Sequence, residues 1–466
     1  MTTVTSTTWT RWTMAGVVVL TAVSMSEPVE AGITVRGRPV PEMTLFDTLT
    51  VSYMADKGIT AGIVGVMKDG EVVYLKGFGE DYNGNALPEN ALVRLASCTK
   101  TFTAAAIRRL IQASVFDLDD HAFNLGQTGG GLLNYAPFPS LGDSDLRFVS
   151  VEDLLAHRGG WDRDIVDDLT YREREIADDM NVTSPPGRGN TMRWILGQPL
   201  QHSPGSTYAY SNVGYLALGL IVESQSGLGL ISYLRQNVVT PHMWVPSTEI
   251  IQGRTFRDWQ SPREPEYDDG ASLARNVFDN YGLTYVSPPY GGWDHEARIG
   301  QGGLVVSAPT ILRLADTYHV GVGYSIGLPR DDYPLTENEV HNGALAGTNT
   351  IIYQRTDGVN MFIFFNGRPT DGHFAEDLRI ILRDALPSVN LDFGRTSDGF
   401  WVTPPTPTLP GGNGAYNTPY QGFNFAQAAV TDGTRIRLKP GTSNWTGTIS
   451  KYVQLDAPLG EATIGQ

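Results

Sequence analysis

Two periods of apolar and polar positions alternate along the chain. Leu45, Leu49 and Tyr53 recur every four residues and predict a helix over 45–54. Gly62 to Met67 is apolar and β-prone, Asp69-Gly70 is a turn pair, and Glu71 to Gly77 carries the return strand of a hairpin. A helical stripe follows in Phe102, Ala106, Ile107, Leu110 and Ile111, reinforced by the helix formers Ala104 and Ala105. From Phe116 to Leu234 the pattern is helical with long loops. Ser150 and Asp153 form a capping-box-like start for a helix from Val151 to Ala156. Met192 to Leu196 reads as a short helix, and Tyr215 to Ser224 as an apolar helix ending near Gly227. Gln252 to Tyr290, rich in Pro, Asp, Tyr and Gly, predicts a long surface loop shaping whatever cleft lies beside it. Ile311 to Tyr318 is again helical. Strands return at Val340 to Gly343, Thr350 to Gln354 and Asn360 to Phe365, with Asp357-Gly358 as a turn, before an amphipathic helix from Phe374 to Leu386.

Strands at both ends with helices between them predict an α+β fold. One antiparallel sheet is built from distant segments, flanked by helices, and faces an inserted helical subdomain. This domain is placed over residues 40–395, followed by a Pro/Gly linker over 400–415 and a short β-rich tail over 416–466. Within the tail, Asp432 to Thr442 resembles the opening rung of a right-handed parallel β-helix, a device of many exported carbohydrate-active proteins. One rung buries no core alone, so the tail either docks on the main domain, pairs with another chain, is a truncated remnant, or is a floppy β-prone segment, with glycan contact as a candidate role.

At the other end, Arg11 precedes an apolar run from Met14 to Val23, and Val29-Glu30-Ala31 resembles a small-residue cleavage site. The run is too short to span a bilayer, so residues 1–31 are expected to be a cleaved signal peptide, making the protein secreted or periplasmic with no membrane span after cleavage.

Composition narrows the partners. The chain has 466 residues, 41% of them hydrophobic, and a net charge of -16 without basic clusters. That combination excludes nucleic acid and anionic membrane surfaces as expected partners and leaves a small-molecule or peptide substrate. The single cysteine, Cys98, allows no internal disulfide and falls on the apolar helix as a small filler.

Three short motifs carry candidate chemistry. Ser97 and Lys100 are three apart at the predicted start of the apolar helix, hence on one face, about one turn apart. A serine hydroxyl is a poor nucleophile, and an amine whose pKa is lowered by burial can accept its proton. Tyr210-Ser211-Asn212 precedes the Tyr215 helix; its phenol can shuttle protons if nearby cations lower its pKa, and its amide can bond a substrate carbonyl. His341-Asn342-Gly343 lies on a late strand, where glycine permits close backbone approach and the N–H of Ala344 can point into a cleft. Singly, each has an ordinary alternative: a solvated lysine, a packed tyrosine beside a helix cap, a strand-edge histidine.

In this order the three motifs resemble those of the serine β-lactamase and penicillin-binding-protein superfamily. The match is nearest the class C β-lactamase-like branch, which also holds D-alanyl-D-alanine carboxypeptidases, D-aminopeptidases and carboxylesterases. Asp69-Gly70, Val151 to Gly160, Pro204-Gly205 and Gly302 to Ser307 resemble the family too, and the resemblance runs from about Leu45 to Leu386. It implies Ser97 as the acylated nucleophile, Lys100 and Tyr210 as sharing general base and acid work, and Asn212 as a substrate-orienting amide. It further implies an oxyanion hole from the N–H groups of Ser97 and Ala344 beside Gly343, and His341 lining the cleft. His157 matches a family loop and is expected to be structural. Class C β-lactamases carry a lysine where His341 stands; histidine is largely neutral near pH 7, which ranks β-lactam hydrolysis below ester or small-amide cleavage.

The remaining motifs are set aside. Gly323 to Gly327 spells G-x-S-x-G, yet Leu328-Pro329 follows where a helix is needed, so Ser325 is expected to be structural. His295-Glu296 lacks a closing histidine at Ile299, so no zinc site of that type, and no metal or organic cofactor, is expected. The expected function is that of an exported serine hydrolase forming an acyl-enzyme on Ser97 from an ester or small peptide or amide. The alternatives are a β-lactamase or D-Ala-D-Ala carboxypeptidase, and a non-catalytic protein binding cell-wall peptide or glycan.

Overall fold

The computed structural model describes residues 32–243, 245–281, 283–367, 374–389 and 391, and, in the C-terminal part, 399–403, 419–429, 435–439, 441–443, 448, 454–456 and 462–464. The expected signal peptide (1–31) and the proline-rich part of the expected linker (404–414) lie outside these residues.

The chain starts with a short strand β1 (Val35–Arg36) and helix α1 (Thr44–Lys57), closed by Gly58 in the left-handed conformation. The hairpin β2 (Ala61–Lys68) and β3 (Glu71–Gly79) follows. Its turn is Asp69-Gly70, both at positive φ (46° and 80°), the geometry that matches the twist of paired strands. Helix α2 (Thr99–Gln112) runs through the interior, with every residue from Thr99 to Arg108 buried. After it come short helices and loops, then α3 (Asn212–Ser226), α4 (Ala308–Thr317), strands β4 (Glu339–Leu345), β5 (Thr348–Gln354) and β6 (Val359–Phe365), and α5 (Phe374–Ala385).

The main sheet has the order β1-β3-β2-β6-β5-β4, antiparallel throughout. Strands from the two ends of the domain meet at β2–β6, as the sequence pattern predicts. The sheet is buried on both faces, which is why β6 reads as a continuous apolar run. Val64, Val66, Ile363 and Phe365 pack with α1 and α5, whereas Ile63, Met67, Phe362 and Phe364 join α2, α3 and α4 in the larger core. Strand β4 is one of the two edges, and Arg163 and Tyr210 of the inserted part share a cleft with it.

Two expectations are corrected. The segment 252–290 is more than a surface loop. It contains a small hairpin (Ala274–Arg275 with Tyr285–Val286), and it sends Tyr267 and Glu264 into the interior. There the Tyr267 hydroxyl donates to Glu264 (2.8 Å) and accepts from the Arg94 N–H (2.9 Å), with the Arg94 guanidinium 4.2 Å from its ring centre. The tail is also more than one rung. Tyr420–Gln421, Gly399–Thr403, Arg435–Leu438 and Gln454–Asp456 pair in parallel in that order, and Gly441–Ser443 pairs in parallel with Ala462–Ile464. Stacking lets Val402, Phe423, Ala426, Ile436 and Leu438 form a small core of their own. Arg437 joins the tail to the main domain through Glu71, 2.6 Å away.

Candidate active site

A short strand, Leu92–Arg94, pairs with Leu304–Ser307 and delivers the chain to Ala96, whose φ of +48° is unusual for a residue with a side chain. That turn starts a single 3-10 turn, Ala96–Cys98, which runs directly into α2. Ser97 thus stands at the mouth of a buried helix, and Lys100, one turn further in, has no exposure at all.

The amine is enclosed by acceptors. Lys100 Nζ donates to Asn212 Oδ1 and to the Gln301 carbonyl, both at 2.7 Å, and lies 3.3 Å from Ser97 Oγ. A neutral amine has two N–H donors and one lone pair. The two short bonds use the donors, leaving the lone pair facing the serine hydroxyl. Burial lowers the Lys100 pKa to about 7, against an opposing effect of Asp168 and a reinforcing one of Arg163. The Gln301 carbonyl is aimed by a tight turn in which the N–H groups of Gln301, Gly302 and Gly303 all bond the Arg298 carbonyl (2.8–2.9 Å).

Tyr210 OH donates to Ser97 Oγ at 2.7 Å. Its ring stacks on His157 (centroids 4.6 Å apart) and carries the Arg163 guanidinium 4.4 Å from its centre. The expectation that cations lower this phenol's pKa is corrected. Burial outweighs Ser97 and Arg163 and pushes it up to about 12, so the resting group is a neutral donor.

Strand β4 supplies the other wall. A two-residue turn, Ala346-Gly347, joins it to β5, so Leu345 and Thr348 are the closing hydrogen-bonded pair. Alternation along the antiparallel ladder then turns the N–H and C=O of Asn342 and Ala344 to the open edge. Gly343 lets that edge approach Ser97: a Cβ there would stand 2.2 Å from Thr350 Oγ1, 2.4 Å from the Leu95 carbonyl and 3.1 Å from the Ser97 nitrogen. Between the walls lies a cleft of about 210 Å³ lined by Ser97, Tyr210, Arg163, Gly343, Ala344, Asn342, Asn349, Thr350 and Glu376.

Two expected roles change. His341 does not line the cleft. Its side chain faces inward with 2% exposure, and Nδ1 bonds the Val320 carbonyl at 2.9 Å. Burial drops its pKa to about 4, so it is neutral. The reason is strand alternation: Asn342 and Ala344 are the exposed residues of β4. Asn212 is likewise no cleft residue. Its oxygen holds Lys100, and its Nδ2 donates to Asp168 at 2.5 Å.

Arg163, Asp168 and Glu376 went unnoticed in the sequence. They sit on a short helix, a loop and the start of α5, and only Asp168 left a local sign, as cap of the turn Leu169–Tyr171. His157, expected to be structural, accepts the Ser211 N–H at Nδ1 (3.0 Å) and so fixes the backbone beside Tyr210. The buried Cys98 has its pKa pushed up to about 12 and stays a thiol. Ser325 sits in a bent loop with its hydroxyl 3.4 Å from Glu339, as a structural residue would. Among the described residues, no group of three or more His, Cys, Asp or Glu could hold a metal ion.

A buried lysine beside a serine and a tyrosine, at the junction of an antiparallel sheet and a helical subdomain, defines a hydrolase-type site of the penicillin-recognising kind. The family model for Beta-lactamase matches residues 46–386, and the chain belongs to that family, whose members are serine hydrolases. An Escherichia coli K12 protein carrying the name of a D-alanyl-D-alanine carboxypeptidase is 28% identical over 201 residues. That match covers 41% of this chain and 43% of the relative, so the chain spans less than half of that protein's length in the comparison. The fold is shared with D-amino acid amidase from Ochrobactrum anthropi (TM-score 0.51, 18% identity, 77% of this chain and 100% of the amidase). It is shared too with the octameric penicillin-binding protein homologue of Pyrococcus abyssi (TM-score 0.50, 20% identity, 75% and 78%).

Proposed function

We propose that the protein is an exported serine hydrolase that cleaves an ester or a small amide through an acyl-enzyme on Ser97. The observation that carries this reading is the saturation of Lys100 by two acceptors at 2.7 Å, which leaves one nitrogen lone pair for the serine proton. In acylation, the Ser97 Oγ–carbon bond forms as Lys100 takes the hydroxyl proton. The carbonyl oxygen gains charge facing the N–H groups of Ser97 and Ala344. The bond to the leaving group breaks as Tyr210 donates its phenolic proton, and Lys100 restores that proton to Tyr210. Water then attacks the ester, one of its protons returns to Ser97, and the acid is released. Export rests on the Arg11 and Met14–Val23 pattern. Among the described residues, no single helix is long and apolar enough to cross a membrane.

Carboxypeptidase activity is the second reading, favoured by the name of the Escherichia coli relative. β-Lactam hydrolysis ranks lower, because the neutral, inward-facing His341 offers no cation to a substrate carboxylate. The test is intact mass after exposure to a fluorophosphonate. We expect one adduct on wild type and none on Ser97→Ala, followed by turnover of esters or D-amino-acid amides. A well-folded wild type that takes no adduct would overturn the hydrolase reading in favour of a binding protein.

A further inference from the structure

We infer that Asp168 is a positioning residue for the Lys100 base: through Asn212 it holds the amine in place and supplies the counter-charge for its protonated state. The inference rests on the proposed role of Lys100 and adds a residue to it.

The geometry is a continuous chain. Lys100 Nζ bonds Asn212 Oδ1 at 2.7 Å, and the same amide bonds Asp168 Oδ2 at 2.5 Å. An amide in this position transmits orientation: with its oxygen committed to the amine, its nitrogen must point to an acceptor, and Asp168 is that acceptor. The carboxylate is itself held. Its other oxygen accepts the Thr170 N–H (3.0 Å) and hydroxyl (2.7 Å). Thr170 is anchored in turn by Arg298, which donates to its carbonyl at 2.9 Å and forms a buried ion pair with Glu173 at 2.6 Å. The Gln301 carboxamide closes the network, accepting from Arg298 and donating to the Asn212 carbonyl, both at 3.1 Å. The residue before the carboxylate, Asp167, takes φ +61°, a conformation with a cost that the loop accepts in presenting Asp168.

The charge balance makes the same point. The other groups facing Lys100 are Arg163 from the short helix 163–166, His157, His341 on β4, the phenols of Tyr210 and Tyr215, and the Cys98 thiol in the 3-10 turn before its own helix. The histidines are held neutral, the thiol and phenols are protonated, and Arg163 opposes a second positive charge. When Lys100 takes the serine proton, Asp168 is the carboxylate placed to stabilise the buried ammonium.

Asp168→Asn tests this, because the new amide can still accept from Thr170 while the charge is lost. The readout is the pH dependence of the fluorophosphonate labelling rate, with mass as detection. We expect the acid limb of wild type near pH 7 to move down by about one pH unit in Asp168→Asn, and the plateau rate to fall roughly tenfold as the base weakens. Asp168→Ser, which keeps a capping oxygen, is the second variant and is expected to shift the limb the same way. An unmoved limb with a lowered melting temperature, or loss of fold in both variants, would reduce Asp168 to a scaffold residue and overturn the inference. Absence of labelling in wild type would overturn the Ser97–Lys100 reading itself, and this inference with it.

Discussion

Tyr210 lies flat on His157, the ring planes 26° apart and the centroids separated by 4.6 Å. His157 also accepts the Ser211 N–H, so one buried imidazole fixes both the ring and the backbone of the residue that bonds Ser97. His157→Ala is therefore expected to lower kcat/KM about tenfold or more and to cost roughly 1–3 kcal/mol of stability, since the Ser211 N–H loses its acceptor. Tyr210→Phe should separate the two effects: a rate loss on the order of a hundredfold or more with little change in a urea melt. Equal rates for Tyr210→Phe and wild type would remove the phenol from the mechanism.

The pH dependence follows from Lys100. Its pKa falls to about 7, so the neutral, proton-accepting form grows as pH rises through 7, and acylation should rise with it to a plateau. His341, at about 4, adds no inflection between pH 5 and 8. Stability carries the opposite face of the same shift. Between about 7 and the ordinary lysine value of 10.5 the unfolded chain binds a proton that the folded chain does not, so folding stability due to this group rises with pH across that window. The stability difference between Lys100→Met and wild type should therefore change across pH 7 to 10 and flatten below 7, as read by chemical denaturation.

Gly343 sets the distance between the β4 edge and Ser97. A methyl group there meets Thr350 Oγ1 at 2.2 Å and the Leu95 carbonyl at 2.4 Å, contacts relieved only by moving the strand. Gly343→Ala is expected to reduce kcat by about a hundredfold or more through loss of one oxyanion donor, with substrate binding less affected. Steady-state kinetics with a chromogenic ester checks it; unchanged kcat would place the oxyanion donors elsewhere.

Cys98 neighbours Ser97, the proposed nucleophile, yet is expected to be inert. Its Sγ is buried, donates to the His341 carbonyl at 3.3 Å and accepts from Thr350 at 3.3 Å. Thiol-directed reagents should leave activity intact in the native protein, and Cys98→Ala should retain it to within a few fold. Rapid inactivation by such a reagent would contradict the buried placement.

What the sequence determined by itself was local. The three-residue spacing of Ser97 and Lys100, the Asp69-Gly70 turn, the Ser150–Asp153 capping box and the Gly227 helix end all depend on contacts within a few residues, and the structure places each as expected. That strands from the two ends of the domain share one antiparallel sheet was legible too, from apolar runs at both ends of the domain. Tertiary structure decided the rest. Strand alternation puts His341 and Gly343 on one face, but which face meets the core depends on what packs behind β4, and that turned His341 inward. The charge states of Lys100 and Tyr210 depend on burial, which no spacing encodes. Asp168 reaches the base only through Asn212, 44 residues further along the chain, so its place in the site arose when the fold brought that loop against α3.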